Sequence, residues 1–203
     1  MYKYNVFDLE ILRTVDEVGG WDNKTDMGVS CAVIQGYDEI DQKPEIFVYS
    51  DPVLSRTNPL SELLKYISDI YNSDNYLIGH NIIDFDFQVL PGVMSQIDDF
   101  TYKNDIVSLA MGFYCNMKVV DTIKGFPFQW RPSLSKISYS TIGKSKTDAD
   151  PANIPIMWRN LKFDSVINYC INDVSLVRDI YNFYRKNGYV LIEGKKYEPQ
   201  WER

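Results

Sequence analysis

Histidine and cysteine, the residues that build most zinc sites, are scarce in this chain of 203 residues. It contains one histidine, His80, and three cysteines that lie far apart in the sequence, Cys31, Cys115 and Cys170. This distribution excludes a histidine-rich zinc site and offers no cysteine cluster in its place. The odd number of cysteines also argues against a disulfide framework, so we expect a reducing, cytoplasmic setting.

Basic residues are also fewer than acidic residues. Lysine and arginine number 21 against 28 aspartates and glutamates, which gives a formal net charge of −7. Such a balance excludes a protein that coats nucleic acid through a general basic surface. It still allows an enzyme that contacts nucleic acid through metal ions and a local basic patch. No apolar run reaches membrane-spanning length and no leader precedes the first strand, so we expect no export and no membrane partner.

The hydrophobic pattern predicts an α/β fold in one domain, residues 1–203. With 45% hydrophobic residues, the chain is long enough to bury one substantial core. Strands come first and then alternate with helices, which favours a mixed β-sheet flanked by α-helices. The predicted strands are 5–11, 28–34, 45–49, 76–78, 103–106 and 189–192; the predicted helices are 58–70, 84–90, 107–111, 134–142 and 163–184.

The first predicted strand carries two acidic residues, Asp8 and Glu10. Side chains alternate along a strand, so these two carboxylates share one face while Phe7, Leu9 and Ile11 point to the other. Two carboxylates on an apolar strand repel each other and lose hydration unless a positive charge compensates them, and hard divalent cations favour such oxygen ligands. The alternative is a solvent-exposed acidic face.

Two further stretches carry acids in suggestive positions. A strand end, Gly79-His80-Asn81, leads through Asp84 and Phe85 to Asp86 at the start of a predicted helix. On the long C-terminal helix, Tyr169 and Asp173 are four residues apart and therefore lie on one face. Taken singly, these residues have ordinary explanations as a helix-capping carboxylate and a surface tyrosine.

In this order the three stretches resemble the DEDDy branch of the 3′–5′ exonuclease superfamily, which has a ribonuclease-H-like fold. They follow its pattern of Asp-x-Glu, then Asn-x-x-x-Phe-Asp, then Tyr-x-x-x-Asp. The chain looks closest to the exonuclease domain of family-B DNA polymerases and to bacterial stand-alone or helicase-associated relatives. The resemblance to those relatives extends to Gly19-Gly20-Trp21, to Met27-Gly28-Val29-Ser30 and to Asn187-Gly188-Tyr189.

The resemblance implies a set of roles for individual residues. Asp8, Glu10, Asp86 and Asp173 would hold two divalent cations, Mg²⁺ or Mn²⁺, which stabilise the attacking and leaving oxygens of an in-line displacement at phosphorus. Tyr169 would orient the attacking water, since a phenol with a pKa near 10 is a poor base at neutral pH. The sister branch has a histidine five residues before the last aspartate, where this chain has Asn168.

The same resemblance implies single-stranded DNA or DNA 3′ ends as the substrate. An exoribonuclease remains an alternative, because the same four acids also serve enzymes that trim RNA. Two further alternatives are a non-catalytic nuclease-like accessory module, and a subunit that trims ends in trans for a helicase or polymerase.

Several other acidic, aromatic and basic residues lie near the three motifs in the sequence. We expect Asp84 to cap a helix and Asp105 to be structural. In the long segment 112–132, Phe126, Phe128 and Trp130 either cover the core, which we favour, or stack on unpaired bases. Four basic residues before the third motif form either a phosphate-contacting patch or a solvated face: Lys144, Lys146, Arg159 and Lys162.

Overall fold

A computed structural model describes residues 4–36, 44–48, 57–96, 112, 115–116, 118–147 and 149–201. The predicted strand 103–106 and helix 107–111, together with Asp105, lie outside the described residues. The strands are β1 (Tyr4–Ile11), β2 (Val29–Gly36), β3 (Glu45–Val48), β4 (Asn58–Pro59), β5 (Tyr76–Gly79), β6 (Val119–Asp121), β7 (Val190–Ile192) and β8 (Lys195–Tyr197). The helices are α1 (Lys24–Met27), α2 (Leu63–Asn72), α3 (Asp86–Val89), α4 (Val93–Gln96), α5 (Leu134–Ile142), α6 (Ile154–Arg159) and α7 (Phe163–Asn187).

The described strands form a six-stranded mixed sheet in the order β4-β3-β2-β1-β5-β6, and β7 and β8 form a separate hairpin. In the large sheet β1 is antiparallel to β2 and parallel to β5, so it lies where the strand direction changes. β2 is also antiparallel to β3. The predicted α/β class, a mixed sheet flanked by helices, is confirmed.

Alternation along β1 divides the core into two layers. Val6 packs into the layer that contains the buried residues of α7, whereas Phe7 and Leu9 pack into the layer that contains those of α2 and α3. Burying an apolar side chain of this size contributes about 1.5–3 kcal/mol. This burial fixes the register of β1 and turns Asp8 and Glu10, which share the face of Val6, toward α7.

Three strands, β4, β6 and β8, differ from the prediction because they depend on tertiary pairing. Asn58 and Pro59 do not open a helix: they pair with β3 as the short strand β4, and α2 begins only at Leu63. β6 lies within a segment that sequence periodicity left unassigned, and it pairs in parallel with β5. β8 was not predicted either, although its partner β7 falls within the predicted strand 189–192.

The end of β5 is shaped by a close approach at Gly79. A Cβ atom there would lie 2.7 Å from the Cβ of Ile82 and 3.1 Å from the backbone oxygen of Phe7. A residue larger than glycine would displace one of these neighbours. Glycine at this position therefore allows the tight turn from β5 toward α3, which carries Asp86. In the described part of the chain, no helix is both long enough and apolar enough to cross a membrane.

Candidate metal centre

The first motif and α7 meet at the middle of the sheet. A carboxylate oxygen of Asp8, a carboxylate oxygen of Glu10 and the Sγ atom of Cys170 all lie within 4.8 Å of one another. The Cys170 thiol is 3.5 Å from the backbone oxygen of Asp8 and 3.6 Å from its Oδ2 atom. The sequence alone, in which the three cysteines lie far apart, did not associate Cys170 with the acidic residues.

Asp86 joins this region through the backbone of β1. It is the first residue of α3, is 2% exposed, and its Oδ1 atom accepts a hydrogen bond of 3.2 Å from the backbone N–H of Leu9. The pairing between β1 and β5 runs only from Tyr4 to Val6 on β1. Beyond the end of this pairing, the carboxylate of Asp86 accepts the hydrogen bond of the Leu9 N–H in place of a backbone oxygen of β5. Because Leu9 lies between Asp8 and Glu10, this bond holds Asp86 beside both acids.

Tyr169 and Asp173 lie one helical turn apart on α7, as their spacing suggested, and both side chains are buried. Asp173 is 4% exposed; its Oδ2 atom forms an ion pair with Lys146. Its Oδ1 atom is buried and has no hydrogen-bond partner among the described residues. Such a carboxylate oxygen costs free energy unless a ligand or cation satisfies it.

Lys146 is a component of the site, whereas the sequence identified it only as one of four basic residues that form either a phosphate-contacting patch or a solvated face. Its Nζ atom lies 4.9 Å from the centroid of the Tyr169 ring. Burial lowers the pKa of Lys146, but the Asp173 carboxylate and the Tyr169 hydroxyl together outweigh burial and hold that pKa above its usual range. Of the other three basic residues in that group, Lys144 pairs with Asp179 and Arg159 pairs with Glu17.

Burial of several carboxylates raises their pKa values. The pKa of Asp8 rises to about 8, first because of burial and then because of Asp173. Burial and the charge of Asp8 likewise raise the pKa values of Glu10 and Asp86. The pKa of Asp173 is also raised by burial, although Lys146 opposes the shift. The four carboxylates together are therefore most stable when they bind protons or when additional positive charge, such as a cation, lies beside them.

The residues present therefore fit divalent cations. Carboxylates of Asp8, Glu10, Asp86 and Asp173 supply oxygen donors, and the unpaired Oδ1 atom of Asp173 lacks the partner that a cation would provide. One lysine lies against Asp173, too little positive charge for four acids of which three are buried. The thiol of Cys170 adds a softer donor beside Asp8.

A second layer of polar groups holds the loop between β5 and α3. The carboxylate of Asp121 accepts hydrogen bonds from the backbone N–H of Asn81, at 2.7 Å, and of Ile83, at 3.1 Å. His80 places Nδ1 3.0 Å from Oγ1 of Thr122, which itself donates to the backbone oxygen of Gly79. Burial, and then Lys146, lower the pKa of His80 to about 3, so this histidine is neutral at physiological pH.

The interpretation of Asp84 as a helix cap is wrong. No side chain caps α3, whose N-cap position is Phe85. The carboxylate of Asp84 instead forms ion pairs with Lys124, at 3.0 Å, and with Arg131. These contacts tie the second motif to the segment that follows β6, and they leave Asp84 compensated without a metal ion.

The core interpretation of the aromatic segment is confirmed for Phe126. This residue is buried, and its ring contacts Trp130, Tyr197 and Trp201 at centroid distances of 5.8, 6.2 and 5.9 Å. The side chain of Phe128 lies outside the described part of the structure. The cluster attaches the β7–β8 hairpin to the sheet and leaves Phe126 unavailable for stacking on a base.

The raised pKa values of the acidic residues in the site predict how the stability of the protein depends on pH when metal is absent. An unfolded aspartate has a pKa of about 4, whereas that of folded Asp8 is about 8. Between these values the folded protein binds more protons than the unfolded chain, so the free energy of unfolding should fall as pH rises. We expect the melting temperature in chelator to decrease from about pH 5 to about pH 8, and the Asp8→Asn variant to show a shallower decrease. A wild-type melting temperature that rises over this interval would contradict the burial of the acids.

Divalent cations should reverse this destabilisation. Ions that bind only the folded state raise its stability, and coordination displaces protons from the carboxylates. The increase in melting temperature caused by Mn²⁺ should therefore grow as pH rises toward 8, the pKa of Asp8. Thermal unfolding with and without Mn²⁺ measures this increase. An unchanged wild-type curve, or an equal increase in Asp8→Asn, would mean that the four acids do not form one metal site.

Comparison with known proteins shows the fold alone. No protein-family model matches the chain, and no curated protein matches it in sequence. Among solved structures, it is similar to a family B DNA polymerase from the hyperthermophilic archaeon Pyrobaculum calidifontis, with a TM-score of 0.56 and 12% sequence identity. The match covers 92% of this chain but only 24% of the polymerase chain. The chain thus shares its α/β fold with one part of that polymerase chain, and this agrees with the predicted ribonuclease-H-like class at the level of fold.

Proposed function

We propose that this chain is a metal-dependent 3′–5′ exonuclease that hydrolyses phosphodiester bonds of single-stranded DNA. The observation that carries the proposal is the meeting of the three motifs at one point of the sheet. Asp8 and Glu10 come from β1, Asp86 from α3, and Tyr169 and Asp173 from α7, and they are far apart in the sequence. The similarity to a family B polymerase agrees with this function without identifying an activity.

The proposed metal ligands are Asp8, Glu10, Asp86 and Asp173, and the proposed ions are two Mg²⁺ or Mn²⁺. When bound, such ions lower the pKa of water and stabilise negative charge on the attacking and leaving oxygens. The carboxylates would hold the ions, and the buried position of three of the four would limit competition from bulk water. Their raised pKa values predict that ion binding releases protons.

Tyr169 and Lys146 would act on the groups around the reacting phosphorus. Burial raises the pKa of Tyr169 to about 12 even though Lys146 opposes the shift. The hydroxyl therefore remains protonated at neutral pH and would position a water molecule by hydrogen bonding rather than remove its proton. Lys146 keeps a positive charge beside this hydroxyl, where it would attract a phosphodiester oxygen.

Residues 1–203 would act as one exonuclease domain under this proposal. A DNA 3′ end would be the substrate, and a helicase or polymerase bound in trans would be a partner that supplies such ends. RNA is the alternative substrate, because the chemistry at phosphorus is the same for both nucleic acids.

The test is degradation of matched DNA and RNA oligonucleotides that carry a label at the 5′ end or the 3′ end. With Mg²⁺ or Mn²⁺, 5′-labelled DNA should shorten progressively, 3′-labelled DNA should release its label at once, and chelator should stop both reactions. The Asp8→Asn protein, purified in parallel, controls for contaminating nucleases. Faster loss of RNA would identify the exoribonuclease, and a folded protein that cleaves neither strand would support the non-catalytic module instead.

A further inference from the structure

We propose that a cavity at the C-terminal end of α7 binds an acidic peptide segment of a partner protein. The cavity has a volume of about 650 Å³, and it is lined by Asn182, Phe183, Arg185, Lys186 and Asn187. This volume lies within the usual range for ligand sites in proteins. The helix-end cavity, as we call it, is a second site that goes beyond the proposed nuclease function.

Positive charge collects around the helix-end cavity although the chain as a whole is acidic. Residues 182–197 contain four basic side chains and one acidic side chain, whereas the formal net charge of the chain is −7. The one acid, Glu193, forms an ion pair of 2.9 Å with Lys136. Lys186 and Lys196 are exposed, and within the described part of the chain neither forms an ion pair. The surface therefore attracts an anionic ligand.

The basic side chains are not needed to satisfy the end of the helix. The Nδ2 atom of Asn187 donates a hydrogen bond of 2.7 Å to the backbone oxygen of Phe183, and the N–H of Gly188 donates one of 2.7 Å to that of Tyr184. Lysine and arginine near a helix C-terminus often bind such carbonyl groups. Because an amide and a backbone N–H already occupy two of them here, the ammonium group of Lys186 can bind a carboxylate of a ligand.

An aromatic pair adjoins these cations. The ring of Phe183 lies edge-to-face with that of Tyr189, with centroids 5.6 Å apart and an interplanar angle of 82°. The Nζ atom of Lys196 lies 4.3 Å from the centroid of the Tyr189 ring. Both rings are half-buried, so they retain some apolar surface in water. A peptide with both carboxylates and apolar side chains therefore fits this surface better than an anion alone.

The helix-end cavity and the metal centre lie at opposite edges of the sheet. Arg185, which lines the cavity, donates a hydrogen bond of 2.8 Å to the hydroxyl of Tyr4, the first residue of β1. Glu10 lies near the other end of β1, and Asp86 follows the end of the parallel strand β5. A ligand at the cavity therefore leaves the acids accessible.

This separation favours a protein over the substrate strand as the occupant. Asp173 and Lys186 are 13 residues apart on α7, about 20 Å at a rise of about 1.5 Å per residue. A DNA 3′ end bound to the acids would lie at the other edge of the sheet. A partner protein that supplies such ends could hold the chain by an acidic segment while the metal centre works.

The test uses a synthetic hexapeptide of alternating aspartate and leucine, and a neutral control peptide in which asparagine replaces each aspartate. In NMR spectra of the labelled protein, the acidic peptide should shift the amide signals of residues 182–197 and leave those of residues 8–10 unchanged. Fluorescence anisotropy of the labelled peptide gives the affinity. The neutral peptide should bind about 10-fold more weakly or worse, and salt should weaken only the acidic one.

Charge reversal at the cavity provides the matched variants. Lys186→Glu and Lys196→Glu should each lower the affinity for the acidic peptide about 10-fold. Lys65→Glu makes the same change in net charge at an exposed position of α2, so it should bind the peptide as the wild type does. All three variants should bind Mn²⁺ as the wild type does, because the cavity is separate from the acids.

Three results would overturn the proposal. The first is a wild type that does not bind the acidic peptide, and the second is equal affinity in Lys186→Glu. The third is displacement of the peptide by a single-stranded oligonucleotide with 3′-terminal phosphorothioates, which would assign the cavity to nucleic acid. DNA cleavage is scored separately: a chain that binds the peptide but cleaves nothing retains this site and loses the nuclease function, and the reverse result removes only the peptide site.

Discussion

Asp8→Asn and Asp173→Asn are each expected to abolish DNA cleavage while the protein remains folded. Each substitution removes one negative charge from the proposed metal ligands and keeps the size of the side chain. A bound divalent ion contributes several kcal/mol to charge stabilisation in the transition state, so we expect a loss of at least about 10³-fold. Single-turnover cleavage of end-labelled DNA measures the loss, and circular dichroism with thermal unfolding verifies the fold.

Asp84→Asn is the matched control for these substitutions. Asp84 lies two residues before Asp86, but its carboxylate pairs with Lys124 and Arg131. Because exposed ion pairs contribute about 0–1 kcal/mol each, the variant should melt slightly earlier and cleave DNA at nearly the wild-type rate. Near-normal turnover by Asp8→Asn at ordinary Mg²⁺ concentration would contradict the metal-site assignment. So would an equal loss of activity in Asp84→Asn.

Tyr169→Phe is expected to lower kcat by roughly 10²–10⁴, the usual range for a positioned group that handles protons. The hydroxyl is lost, but the buried ring and its packing on α7 remain. Metal binding should survive, because the phenol is not among the proposed ligands. Cleavage under saturating Mn²⁺ measures the effect on turnover, and the increase in melting temperature with Mn²⁺ reports whether the site still binds ions.

Tyr169→Ala and Tyr139→Phe separate chemistry from packing. Truncation of the buried Tyr169 ring should cost several kcal/mol of stability, about 3–5 for a large aromatic side chain. Tyr139 is exposed on α5, so loss of its hydroxyl should change neither stability nor activity. A Tyr169→Phe protein that cleaves as fast as the wild type would show that Tyr169 serves packing alone.

Local periodicity was sufficient to predict the parts of the site that lie on regular elements. Alternation in β1 identified the face shared by Asp8 and Glu10, and four-residue spacing identified the face shared by Tyr169 and Asp173. Burial enforces both patterns, since a one-residue slip of β1 would move Phe7 and Leu9 out of the core. The sequence therefore carries this information within short windows.

Cys170 and Asp121 were assigned no role in the site, and Lys146 was considered only within a group of four basic residues, because their contacts depend on tertiary structure. Lys146 lies in a polar loop without periodicity, and only the packing of that loop brings it to Asp173. Cys170 follows the apolar stripe of α7, and its position opposite Asp8 depends on how that helix crosses β1. Asp121 ends a strand in a segment rich in glycine and proline, where no sequence signal indicated pairing with β5.

Asp84 was misinterpreted for a related reason. An acid just before a predicted helix is typically a capping residue, and the sequence gives no indication that Lys124 and Arg131 lie nearby. Local capping preference is worth about 1 kcal/mol, so a pair of tertiary ionic contacts readily replaces it.

The most direct test of the central claim is a count of the Mn²⁺ ions that the folded chain binds. Electron paramagnetic resonance detects free Mn²⁺, so titration of the protein gives both the number and the affinity of the sites. The wild type should bind two ions, Asp8→Asn should lose at least one of them, and Asp84→Asn should bind as the wild type does. A wild-type protein that binds no Mn²⁺, or an Asp8→Asn variant that binds two with unchanged affinity, would contradict the claim that these carboxylates form a metal centre.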